Sequence, residues 1–331
     1  MVNRDIGFSL WLDFVERDFL KNKFGSLIEK GIINGATSNP SIFASAITTS
    51  PAYAEQLKSL KGLSPKEKYE ALAIEDIRTA ALALRDSYDM GNDGYISIEV
   101  DPFLSRDTQG TIEEGKRLFA AIGEPNVMVK VPATDAGYEA MTELLSTGIS
   151  VNATLIFSPK QAQRCLKAMK KGLDAFEASG GGRCEAVISV FVSRFDRLLD
   201  ASLANEGIDV SKTGIYNAAK IYNIIESNNT PAVRTLFAST GVKGDDLPAD
   251  YYMRELLAPH SVNTAPLSTI EAYIATEASA PKLPMDDEMI NGYFTKLADN
   301  GFDMDEVYKE LLNDGLIAFE QAFQEMLDTL K

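Results

Sequence analysis

Short apolar runs alternating with amphipathic stretches of helical length predict an α/β chain, a (β/α)8 barrel carrying additional helices. Two observations favour a closed barrel over an open doubly wound sheet. Eight runs are present, and 331 residues accommodate eight such units within a single domain. No G-x-G-x-x-G follows any of the runs, so the best-known marker of the open sheet is missing.

The elements follow in order. The run at 9–14 (SLWLDF) precedes an amphipathic stretch at 16–30, and the second run, 33–37 (INGAT), leads into T37-S-N-P-S41. A long helical pattern at 64–88 ends at G91-N-D-G94, which reads as a turn before the third strand at 95–100 (YISIEV). Helices at 111–122 and 135–146 flank the strand at 126–132 (NVMVKVP). The fifth strand, 151–157 (VNATLIF), runs into a helix at 159–178, and G180-G-G182 supplies the tight turn before 186–192 (AVISVFV). A helix at 211–228, a strand at 234–239 (RTLFAS) and a strand at 261–265 (SVNTA) complete the set. From about Asp286 the chain reads as helical and amphipathic to its end, with Val307, Leu311, Leu312, Leu316, Phe319, Phe323 and Leu327 on one broad face. This 286–331 segment exceeds what a barrel needs and is expected to pack back on it. No linker rich in Pro, Gly or Ser divides the chain, so residues 1–331 read as one domain with a helical extension.

Composition narrows the function. Apolar residues make up 45% and charged residues 24%, as in ordinary globular proteins. The 32 basic against 48 acidic residues leave a net charge of −16, a field that repels nucleic acid and anionic membranes alike. No apolar run is long enough to span a bilayer, and MVNRDIGFSLWLDF lacks a signal-peptide core. Two isolated cysteines, Cys165 and Cys184, exclude a disulfide framework. Together these predict a cytoplasmic protein. His260 is the only histidine, which removes most imidazole base chemistry and HExxH zinc sites. Its place before the eighth strand reads as structural. The acidic groups Asp245–Asp246 and Asp286–Glu288 lie in turns or a first helical turn, where they are stabilised without a metal, so no metal is expected.

The informative residues are polar groups on strands that a barrel buries on both faces. Alternation places Met128, Lys130 and Pro132 on one side of their strand, so Lys130 must be paired, neutral or reacting. A desolvated amine is what a Schiff-base nucleophile needs; a salt-bridged structural lysine is the alternative. Ser97 and Glu99, Asn152 and Thr154, and Ser189 interrupt their strands in the same way. Asp13 closes the first strand, and Thr37 and Asn39 sit at the end of the second. Barrel active sites form at these C-terminal ends. Arg194 after the sixth strand and Lys243 after the seventh are the cations available for a phosphate.

The segments W11-L-D13, G35-A-T-S-N-P-S41, S97-I-E-V-D101, V129-K-V-P-A-T134, S150-V-N-A-T-L-I-F157, F191-V-S-R194 and A238-S-T-G-V-K243 together resemble the transaldolases, in that family's order and across the whole barrel. The length resembles that of the bacterial and actinobacterial members. The resemblance implies a metal- and cofactor-free transferase of the pentose phosphate pathway. Such an enzyme moves a dihydroxyacetone unit reversibly between fructose 6-phosphate or sedoheptulose 7-phosphate and an aldose phosphate, glyceraldehyde 3-phosphate or erythrose 4-phosphate. It implies Lys130 as the Schiff-base lysine, Asp13 as general acid/base, and Glu99 with Thr154 around a proton-shuttling water. Thr37, Asn39, Asn152 and Ser189 would bind the three-carbon unit and Phe191 would shape the pocket. Arg194 and Ser239 would bind phosphate, with Lys243 standing where other branches carry a second arginine. Sugar phosphates are then the partners, and a monomer or a homodimer is expected. Two other readings share the fold: an aldolase that releases free dihydroxyacetone, and a non-catalytic sugar-phosphate-binding barrel.

Overall fold

The computed structural model describes residues 2–276 and 280–331. In chain order the main elements are β1 (Phe8–Asp13), α1 (17–29), β2 (Gly35–Thr37), α2 (Pro40–Thr49), α3 (Pro65–Asp89), β3 (Ile96–Glu99) and α4 (Thr108–Ile122). There follow β4 (Val127–Pro132), α5 (Asp135–Ser146), β5 (Val151–Ile156), α6 (Pro159–Ala178), β6 (Ala186–Phe191), α7 (Ser193–Asn205) and α8 (Thr213–Ser227). The chain ends with β7 (Val233–Ala238), β8 (Ser261–Ala265), α9 (Leu267–Ile274), α10 (Asp287–Asp299) and α11 (Met304–Thr329). The eight strands are parallel and close in sequence order, β8 returning to β1, which is the barrel the sequence predicts.

Local chemistry starts the helices where the strands end. Ser64 with Glu67, and Ser158 with Gln161, form reciprocal capping boxes, each followed by proline at the first helical position. Asp107 and Thr134 cap α4 and α5 by accepting from the Gly110 and Gly137 amides. Of these main helices, three stand where the sequence reading had none: α2, α7 and α9. The first two open at functional positions. Asn39 caps α2, its side chain accepting from the Ile42 amide, and Arg194 lies in the first turn of α7 rather than in a free loop. The C-terminal segment is two helices rather than one continuous run. Gly301, at φ 83°, turns the chain in a left-handed conformation, and Asp303 then caps α11 by accepting from the Asp305 and Glu306 amides.

Side chains two residues below Asp13, Lys130, Ser189, Ala238 and Thr264 fill the barrel. Trp11, Met128, Val187, Leu236 and Val262 are all fully buried in one cluster. Gly35 belongs to the same layer, and a Cβ there would sit 2.4 Å from the Trp11 ring, so the indole requires a glycine opposite it. Beneath this layer a buried ion pair closes the N-terminal end: Arg234 Nη2 lies 2.8 Å from Asp93 Oδ1, and Trp11 Nε1 donates to Asp93 Oδ2 at 2.8 Å. Asp93 adopts φ 64° in the turn that the sequence reading treated as a plain connection. His260 has the structural role expected of it, with Nδ1 3.0 Å from Glu226 Oε1 and Nε2 3.0 Å from the Pro231 carbonyl. Cys165 and Cys184 are both free and buried. The C-terminal ends of the strands therefore open over an apolar floor.

Candidate active site

A cavity of about 190 Å³ opens at the C-terminal end of the barrel. Its walls include Asp13, Thr37, Asn39, Lys130, Thr154, Ser189, Phe191, Arg194 and Ser239, nine of the residues expected from sequence. Seven of the eight strands, all but β3, contribute a residue from their C-terminal halves, which is why residues far apart in the chain converge here.

Lys130 is 6% exposed. Its Nζ donates to the Ser38 carbonyl at 3.1 Å and lies 3.2 Å from Glu99 Oε2. Glu99 stands opposite Lys130 in the β3–β4 register and is buried behind it rather than in the cavity wall. Burial pushes the Glu99 carboxyl up to about 7, against the opposing pull of Lys130. The contact is an ion pair without hydrogen-bond alignment, so both Glu99 oxygens and the buried Thr154 hydroxyl have no hydrogen-bond partner among the described residues. Three acceptors beside a buried amine are an unusual concentration of unspent polar capacity.

Asp13 is also raised by burial, with Lys130 and the Thr37 hydroxyl working against the shift. Thr37 Oγ1 donates to Asp13 Oδ1 at 2.6 Å and lies 2.6 Å from Thr264 Oγ1. Since the single Thr37 proton goes to the carboxylate, Thr264 must donate to Thr37, making a directed chain from β8 to β1. On the other wall Ser189 Oγ donates to Asn152 Oδ1 at 2.6 Å, and Asn152 Nδ2 donates to Ser97 Oγ at 3.0 Å. Asn152 is therefore behind the wall, holding Ser189, instead of lining the cavity.

The two expected phosphate cations part company. Arg194 lines the cavity 5.2 Å from the Phe191 ring centre and makes no ion pair among the described residues. Burial lowers its pKa, Arg197 adds to the effect and Asp314 opposes it. Ser239, at φ 55°, reaches Ser193 Oγ at 3.0 Å beside it. Lys243 instead sits exposed on the loop after β7, outside the cavity, because the chain leaves the barrel rim between Ser239 and the short helix Tyr251–Glu255.

Four wall residues escaped the sequence reading: Ser41, Ala238, Thr264 and Phe319. Thr264 carries the same signal as Lys130, a polar residue ending an inward row, two positions beyond Val262. Phe319 carries none, since its helix is not part of the barrel. Among the described residues no group of three or more His, Cys, Asp and Glu side chains could hold a metal ion, and no helix is long and apolar enough to cross a membrane.

Comparison with known proteins gives concordant relatives. A family model described as Transaldolase/Fructose-6-phosphate aldolase matches residues 10–330. A transaldolase of Campylobacter jejuni subsp. jejuni serotype O:23/36 (strain 81-176) is 47% identical over 333 residues, covering 98% of this chain and 99% of that protein. A transaldolase of Helicobacter pylori (strain P12) is 44% identical over 321 residues, covering 97% and 98% respectively.

Proposed function

The chain belongs to the transaldolase/fructose-6-phosphate aldolase family and is a transaldolase-type transferase acting through a lysine Schiff base, and from that premise we propose that Lys130 is the reacting amine. The observation that carries this assignment is its burial at the cavity floor between two raised carboxyls, Asp13 and Glu99. A lysine in that setting has its proton acceptors beside it and little water around it.

Lys130 adds to the ketose carbonyl, and loss of water gives an iminium. Glu99 and Thr154 hold the water that carries protons during this step; their unspent hydrogen-bonding capacity supports the role. Asp13 then takes the C4 hydroxyl proton, the C3–C4 pair moves into the iminium, and the aldose phosphate leaves an enamine on Lys130. Attack of that enamine on a second aldose phosphate, followed by hydrolysis of the iminium, completes a ping-pong cycle. Thr37 orients Asp13, while Asn39 and Ser189, the latter held by Asn152, bind the hydroxyls of the three-carbon unit. Asn39 Oδ1 is committed to capping α2, so its amide donates. Phe191 walls the pocket. Arg194, Ser239 and the start of α7 receive the phosphate, a helix N-terminus being suited to an anion. Lys243 could contribute only from the outer loop.

The substrates follow: fructose 6-phosphate or sedoheptulose 7-phosphate as donor, glyceraldehyde 3-phosphate or erythrose 4-phosphate as acceptor. The cytoplasm suits two free, buried thiols. All groups of the site come from one chain, so it is complete in a monomer or a homodimer. One domain with a C-terminal extension accounts for α10 and α11 burying their apolar faces on the barrel helices.

Incubation with fructose 6-phosphate and borohydride, followed by peptide mapping, tests the assignment. A reduced three-carbon adduct on Lys130, absent in K130M, is expected. An active enzyme with no adduct, or an adduct on another lysine, would overturn it.

A further inference from the structure

We propose that Phe319 is a specificity-determining residue, roofing the Schiff-base lysine so that the bound three-carbon unit passes to an aldehyde instead of being released by water. The inference rests on Lys130 as the reacting amine and extends the site to α11, an element outside the eight βα units.

Phe319 is 7% exposed, lines the cavity, and its ring centre lies 5.7 Å from Lys130 Nζ. Two independent features hold it there. One turn earlier, Gly315 lies against Leu155 and Arg194: a Cβ at Gly315 would meet Leu155 Cδ2 at 2.9 Å and Arg194 Nη1 at 3.5 Å. Leu155 reaches that seam from a bulge in β5, where the β5–β6 register shifts between Ala153 and Ile156 and Leu155 takes φ 58°. A leucine in the left-handed region is strained, and such strain persists only where neighbours hold it. The helix is also tied at both ends. Tyr308 donates to Asn217 Oδ1 at 3.1 Å, and Lys68 Nζ donates to the Leu330 carbonyl at 2.6 Å. Between these anchors Gly315 and Phe319 cross the mouth.

The chemistry gives the roof its purpose. The enamine on Lys130 has two fates. Its carbon can attack an aldehyde, or it can take a proton from water to form an iminium. In the second case water adds to the iminium carbon and the C–N bond breaks, leaving free Lys130 and dihydroxyacetone. The net cost of that path is one water and no acceptor. A phenyl ring neither donates nor relays a proton, so it closes the space above Nζ to water while leaving the phosphate side, toward Arg194, open.

The test compares wild type with F319A, the smaller but still apolar F319L, and G315A. Each is assayed for free dihydroxyacetone released and for transfer to erythrose 4-phosphate, and for the borohydride adduct on Lys130. F319A is expected to raise the ratio of release to transfer on the order of tenfold, F319L less, with the Lys130 adduct retained in both. G315A, whose Cβ crowds Leu155 Cδ2 at the seam without touching the ring, is expected to raise the ratio to a smaller extent. Retained adduct with an unchanged ratio in F319A and F319L overturns the proposal. Absence of the adduct in wild type overturns the Lys130 assignment itself, a distinct result.

Discussion

Glu99 is legible in the sequence as a carboxyl that a strand cannot put in solvent, but its working pH comes only from packing. Burial raises it to about 7 and Lys130 pulls the other way, so it holds its proton below that pH and is a carboxylate above it. Imine formation needs the carboxylate to accept a proton, so kcat/KM is expected to fall as pH drops through about 7. E99Q should lack this limb and turn over slowly at every pH; a wild-type profile flat between pH 6 and 8 argues against the role. Thr264 acts at one remove. It donates to Thr37, which donates to Asp13. T264V leaves Thr37 free to rotate away from the carboxylate. It is expected to lower kcat about fivefold with little change in KM, as for loss of a net hydrogen bond of about 1 kcal/mol that orients the base. T264S should restore it. Equal losses in T264V and T264S would show that packing at β8, not the hydroxyl chain, matters.

At the scale of elements, alternation made the strands readable because every inward polar residue is an exception to a buried rule. Lys130, Glu99, Thr154 and Ser189 were found that way. Helices were harder. α2 and α7 start at Pro40 and Ser193 within three residues of the preceding strand ends, so their first turns read as loop until the strand ends are placed. The same gap makes Arg194 and Lys243 look alike in sequence, as cations after successive strands. The structure separates them: Arg194 is held on a helix start inside the cavity, and Lys243 is exposed on a loop. R194A is therefore expected to raise KM for the phosphorylated ketose about 10- to 100-fold, the worth of a charge-assisted hydrogen bond. K243A should shift it by less than about threefold, since an outer-loop charge interacts only through screened solvent. Measuring both variants against unphosphorylated dihydroxyacetone transfer from fructose separates phosphate binding from general damage.

Across the whole molecule the two barrel ends divide the work, and the least legible residues lie at the end away from the chemistry. Asp93 reads as a turn residue because its partner, Arg234, is 141 positions away, and no local pattern joins them. In the fold they meet beneath Trp11, where the indole donates to the same carboxylate and Gly35 clears space for the ring. A buried pair is no proof of stabilisation as a pair, but removing Asp93 strips Arg234 of its close partner and leaves only Glu185 Oε2 at 3.6 Å to offset the buried charge. D93A is therefore expected to destabilise the protein by about 3–5 kcal/mol, seen as a lower midpoint in denaturant. D93A/R234M, which removes both charges, should recover much of that loss, because a methionine fills the space of the arginine stem without needing a partner. Turnover of folded D93A should stay within about twofold of wild type, since the buried layer of Trp11, Met128, Val187, Leu236 and Val262 separates the floor from Lys130 and distant sites act independently. Turnover that falls while the denaturation midpoint holds would mean the floor sets the geometry of the site above it. The division of the barrel into a stabilising end and a reactive end would then not apply to this protein.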